Sequence, residues 1–93
     1  MSPAAAIDPA ARPRLARLFR LQWEEAQNSH VLLYPEGMVK LNASAAEILK
    51  RCDGTRTVDM IVAELEQAFG ATNLSGDVGA FLDIAAKQGW VAP

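Results

Sequence analysis

The sequence predicts an α+β domain of winged-helix-like form, a three-stranded antiparallel sheet followed by three helices. Two observations carry that expectation. Apolar residues alternate with period two only in the first half of the 93 residues, whereas in the second half they recur at spacings of three and four. The connections between the early segments are too short for parallel crossovers, so neighbouring strands must run antiparallel.

Residues 1–13, "MSPAAAIDPAARP", combine three prolines with alanine and hold no large apolar residue except Ile7. They have little to bury and read as a flexible N-terminal tail, which leaves 14–93 as the folded domain. From Phe19 the alternation begins, with Phe19, Leu21 and Trp23 on the expected buried face and Arg20, Gln22 and Glu24 on the other. Leu18 belongs to the entry of this strand. The polar run "EEAQNS" ends it, "HVLLYP" supplies a second strand, and "MVKL" a third. Between the last two, Pro35 presets φ for a turn and Gly37 can take the left-handed conformation that closes a short hairpin, with Glu36 solvated at its tip.

The helices follow one grammar. In the first, Ala45, Ile48, Leu49 and Cys52 form one stripe; Ser44 and Glu47 have capping-box spacing, Asn42 is the alternative cap, and Gly54 marks the exit. In the second, Thr57 precedes the stripe Val58, Ile61, Val62, Leu65 and Phe69, and Gly70 follows it. The third starts near Ser75 or Asp77 and presents Val78, Phe81, Leu82 and Ala85 before Gly89, after which Trp90 and Val91 cap the core.

Composition narrows the function. A chain of this length buries only roughly 60–65% of its unfolded surface, which leaves little room for a deep catalytic pocket. The single cysteine cannot form an internal disulfide, and the first residues lack the basic and apolar regions of a secretory signal, so the expected compartment is the cytoplasm. No apolar run approaches the length of a membrane span. The first twenty residues carry Arg12, Arg14, Arg17 and Arg20 against Asp8, while the remainder holds five basic and ten acidic residues. That acidic body repels phosphate backbones. The third helix, which would read bases in a winged-helix protein, bears Asp77 and Asp83, with Lys87 and Gln88 only at its far end. A winged-helix nucleic-acid binder acting through the arginine arm is the alternative reading.

Nothing in the sequence assembles catalytic groups. Cys52 lies on an apolar stripe far from the one histidine, His30, and acts there as a small hydrophobe. One Cys and one His fall short of a metal site, no glycine-rich loop cradles a phosphate, and Asp53-Gly54 is ordinary helix-exit chemistry. No cofactor and no catalysis are expected. What remains is the third strand, Met38 to Leu41. At a sheet edge it could accept an extended peptide, with Lys40 as an edge guard or a contact. About four such hydrogen bonds, at about 0.5–1.5 kcal/mol each, nearly cancel an ordering cost of roughly 2–5 kcal/mol. One or two apolar anchors beside the strand, each worth about 1.5–3 kcal/mol, are therefore needed.

Five segments, "FRLQWEE", "LLYPEG", "LNASAAEIL", "RCDGTRTVDMIV" and "DVGAFLDIAAKQGWV", together resemble the PqqD family of pyrroloquinoline quinone biosynthesis, from about Pro13 to Val91. The resemblance implies a RiPP recognition element, a non-catalytic peptide chaperone that binds the ribosomal precursor peptide PqqA and presents it to the radical-SAM enzyme PqqE. It implies that the peptide adds beside Met38, Val39, Lys40 and Leu41 and packs on the third helix, with Asp77, Phe81, Ile84 and Ala85 as the candidate contacts.

Overall fold

The computed structural model describes residues 7–93. A two-residue strand β1 (Arg14–Leu15) precedes β2 (Arg20–Glu24), β3 (Ser29–Tyr34) and β4 (Gly37–Lys40). Helices α1 (Ala43–Lys50), α2 (Val58–Phe69) and α3 (Ser75–Lys87) follow, and β5 (Val91–Ala92) is the last element. The three expected strands form one antiparallel sheet in the order β2-β3-β4, and β1 pairs with β5 in a small second sheet that the periodicity did not announce.

Strand alternation sorts the sheet into two faces. Leu21, Leu32 and Val39 align across the three strands on the face that meets the helices, where Leu32 is fully buried. The next row on that face, Trp23, His30 and Leu41, departs from expectation at its outer end. Trp23 is 49% exposed, its ring edge-on to His30 at 5.0 Å. It lines an open cleft of about 320 Å³ with Ser29, His30, Leu41, Ala46 and Glu47, so its ring is covered on one side only. Leu18, at φ 77°, also faces outward rather than leading into the buried face. Gly37 is nearly extended at φ 159°, so the hairpin closes through Pro35-Glu36 without the left-handed glycine expected there.

The helical stripes meet in one core with Leu32, Leu41, Leu49, Ile61 and Leu82 at its centre. Each such side chain, fully buried, is worth about 1.5–3 kcal/mol. Asn42, not Ser44, caps α1: its Oδ1 accepts from Ala45 N–H at 2.7 Å, while Glu47 turns away to Lys50 and Arg51. Thr57 caps α2 as expected, accepting from Met60 N–H, and Gly70 ends it in the left-handed conformation. The stripe of α2 fails at Phe69, which is 58% exposed, because the helix ends there and the ring overhangs the following loop.

The expected tail also needs revision. Residues 1–6 lie outside the described residues, but from Ile7 the segment is fastened to the domain. Ile7 and Ala11 pack on the core, and Pro13 is fully buried. Val58 N–H donates to Ala11 C=O, Asp59 N–H to Pro9 C=O and Gly54 N–H to Pro13 C=O. The chain therefore lies along the free amides at the start of α2, donors that would otherwise go unpaired within the helix. Gly54 sits at φ 83° against the Arg14 side chain, a conformation that favours glycine.

A chain of ion pairs ties the α1 exit to α2: Arg51 to Glu47 and Glu64, and Arg56 to Glu64 and Asp53. Hydrogen bonds from Lys50 and Arg51 hold the Glu47 carboxyl below its ordinary range. Asp53 is lowered likewise, first by the Thr55 hydroxyl and amide and then by Arg56, which makes it a turn-former. Cys52 is core: its thiol donates to Ile48 C=O at 3.3 Å, and burial, with a lesser push from Asp53, drives its pKa up to about 12.

Two outcomes are expected. Asn42→Ala should lower unfolding free energy in a urea titration by about 1 kcal/mol, while Ser44→Ala changes it little. Because the thiolate is the reactive form, Cys52 of the folded protein should resist iodoacetamide at pH 8 and react at a normal rate only in denaturant, as mass spectrometry would register.

Candidate peptide-binding edge

The site begins from one backbone hydrogen bond. Leu41 N–H donates to His30 C=O at 3.0 Å, just past the end of β4. In an antiparallel pair each residue turns both backbone groups the same way, and successive residues alternate. With Leu32 opposite Val39 and Tyr34 opposite Gly37, it follows that Gly37, Val39 and Leu41 face β3. Met38 and Lys40 therefore direct their N–H and C=O groups away from the sheet. β4 is terminal in the sheet, and no hydrogen bond to these groups occurs among the described residues.

The side chains of the same four residues alternate at right angles to this. Val39 packs against the core and Leu41 is buried in it at 6% exposure, whereas Met38 and Lys40 are exposed on the opposite face. The strand is thus anchored by one pair of side chains while the other pair carries the open backbone groups. Leu41 supports the strand from inside the core and offers no side-chain surface.

On α3 the predicted residues split in the same manner. Ala85 is fully buried with Val78 and Leu82, so it belongs to the core. Asp77 and Ile84 are exposed and Phe81 is half-buried, its ring 6.4 Å from that of Trp90. At spacings of four and three residues, Asp77, Phe81 and Ile84 share one face of the helix. Ile84, 54% exposed, is an apolar side chain with nothing yet to cover it. α3 makes its main contacts with α2 and β5, which leaves no extended contact between β4 and α3.

Sequence reasoning missed a feature beside Asp77. This residue opens onto an apolar cavity of about 180 Å³ lined also by Ile48, Leu65, Phe69, Leu74 and Val78. Its one signal was Phe69, the last member of a stripe on a helix about to end. Sequence reasoning also left open that β2 is terminal, so that the sheet has two edges. Among the described residues no group of three or more His, Cys, Asp and Glu could hold a metal ion, and no helix is long and apolar enough to cross a membrane.

The geometry has counterparts. Residues 29–91 match the family model described as Coenzyme PQQ synthesis protein D (PqqD). The chain is 54% identical over 80 residues to a PqqA binding protein of Stutzerimonas stutzeri strain A1501, covering 85% of this chain and 87% of that one. It is 44% identical over 85 residues to a PqqA binding protein of Methylococcus capsulatus, covering 91% of each. The solution NMR structure of the PqqD truncation of Methylobacterium extorquens PqqCD, described as a functional and stand-alone RiPP recognition element, superposes with a TM-score of 0.81. That similarity holds at 33% identity and covers 96% of this chain and 97% of the other. With its fold and most of its length thus matched, the chain belongs to the PqqD family.

Proposed function

We propose that this chain binds the precursor peptide PqqA as an added strand along the outer edge of β4 and presents it to the radical-SAM enzyme PqqE. The observation that carries the reading is the pair of outward-facing residues Met38 and Lys40, whose backbone groups match the repeat of an extended guest. The names of the relatives support PqqA as the guest. Residues 14–93 form the peptide-binding unit, and it works in the cytoplasm, where a ribosomal peptide is first met.

Backbone pairing alone leaves little net affinity, since its gain of some 2–6 kcal/mol is close to the cost of ordering the guest. The surplus comes from apolar side chains of the peptide placed on Phe81 and Ile84, with Asp77 at the end of the same helix face. Val39, Leu41 and Ala85 hold the two walls in place from the core side. The partner enzyme then receives a peptide already extended, so that less ordering remains for its own active site.

Amide NMR titration of the labelled chain with PqqA peptide should shift Met38 to Leu41 and the Asp77–Ile84 face of α3; shifts confined to β2 or α2 would reject the site. Lys40→Pro removes an outward donor and should weaken binding on the order of threefold to tenfold with little change in melting temperature. Val39→Pro removes a donor to β3 and should instead lower stability. Equal effects of the two prolines on stability would contradict the assigned alternation.

A further inference from the structure

Lys40 carries an unpaired charge at the open edge of the sheet. Five basic residues follow Arg20 in the sequence: Lys40, Lys50, Arg51, Arg56 and Lys87. Lys50, Arg51 and Arg56 are in ion pairs with Glu47, Glu64 and Asp53, and Lys87 closes α3, where the negative end of the helix dipole favours a cation. Lys40 has neither, and among the described residues it makes no ion pair.

Its surroundings on the sheet are neutral. Across the strands the register sets Val31 and then Gln22 in its row, and two residues back along β4 stands Met38. Glu36 lies beyond the strand at the hairpin tip, and Glu24 is one row further on, on the far strand, where its carboxylate accepts from Gln22 Nε2 at 3.0 Å.

The position is as specific as the charge. Lys40 turns both backbone groups outward, while its side chain is exposed on the face away from the helices. A strand added along β4 therefore places one residue directly beside Lys40, its side chain on the same face and its Cβ about 5 Å away. The guest residues before and after that one turn to the opposite face, toward Phe81 and Ile84.

We propose that Lys40 selects the guest by charge: the bound segment carries an Asp or Glu beside Lys40, set between two apolar residues that turn toward α3. The inference rests on strand addition along β4 and names what that edge reads. Backbone pairing accepts any extended sequence, and a slip of two residues keeps the apolar side chains on their face. The same slip moves the acid away from Lys40, to a place beside Met38 or Asn42. The charge pair thus fixes the register at which the apolar flanks reach Phe81 and Ile84.

A lysine on a strand edge has a second use, as a guard against pairing with unwanted chains. The two uses differ in their response to Lys40→Met, which keeps an unbranched stem and removes the charge. Loss of a guard leaves guest affinity intact or raises it, whereas loss of a selecting charge lowers it.

Calorimetric titration of the full chain with PqqA peptide tests the proposal. At low ionic strength Lys40→Met should weaken binding about twofold to fivefold and Lys40→Glu on the order of tenfold, with both differences shrinking at high salt. Among PqqA variants in which each acidic residue in turn becomes lysine, one should bind Lys40→Glu more tightly than the wild type, because the two charges are then exchanged. Unchanged or tighter binding by Lys40→Met, or the absence of any peptide variant that prefers Lys40→Glu, would overturn the proposal. Amide shifts at Met38 to Leu41 then separate it from the reading it rests on: if PqqA still produces them in the wild type, strand addition stands without the charge pair, and if it does not, both fall.

Discussion

The antiparallel register of β3 is the constraint on which the rest of the molecule depends. Among the described residues β3 is the one strand with a neighbour on both sides, and its residues divide their backbone groups alternately between them. The Leu41 to His30 hydrogen bond settles which half goes where. From it follow the open groups of Met38 and Lys40 on one edge and those of Leu21 and Trp23 on the other. A slip of one residue would exchange core and solvent faces at once, placing Val39 outside and Met38 within. The burial of Leu32 between Leu21 and Val39 makes such a slip costly, so core packing keeps the binding edge in phase.

A small domain can afford this arrangement only if its thin core is closed elsewhere. The closure comes from the pairing of β1 with β5, and from the segment before β1, whose carbonyls accept the amides of Gly54, Val58 and Asp59. Arg51 and Arg56 share Glu64 across the same junction. The helical half is thereby tied at its loops, and α3 can leave one face, with Phe81 and Ile84, uncovered. Stability and binding surface are separated along the alternation of each element: on β4 between Val39 and Met38, on α3 between Ala85 and Ile84.

Much of the fold was legible in the sequence because its signals are local. Thr57 and Gly70 are read from the residues beside them, and the stripes of α1 and α2 from spacing alone. The misreadings share a cause. Periodicity places Trp23 and Phe69 inward, yet an apolar residue near the end of an element is buried only if another element reaches it. Ser44 and Asn42 both suit a cap, and the choice fell to where the backbone turned into α1. Residues 7–13 offer little apolar content beyond Ile7, but the carbonyls of Pro9, Ala11 and Pro13 also hold them, and side-chain composition does not report those bonds.

By itself the sequence determined the three strands of the main sheet, the three helices after them and the acidic balance of the body, because period, turn chemistry and charge are properties of short stretches. Only the tertiary structure decided which strands are terminal, which way each edge residue points its N–H and C=O, and which of the residues predicted on β4 and α3 face solvent. Those depend on pairing and burial between segments far apart in the chain, where Leu41 and Ala85 went to the core and Met38, Lys40 and Ile84 were left outside.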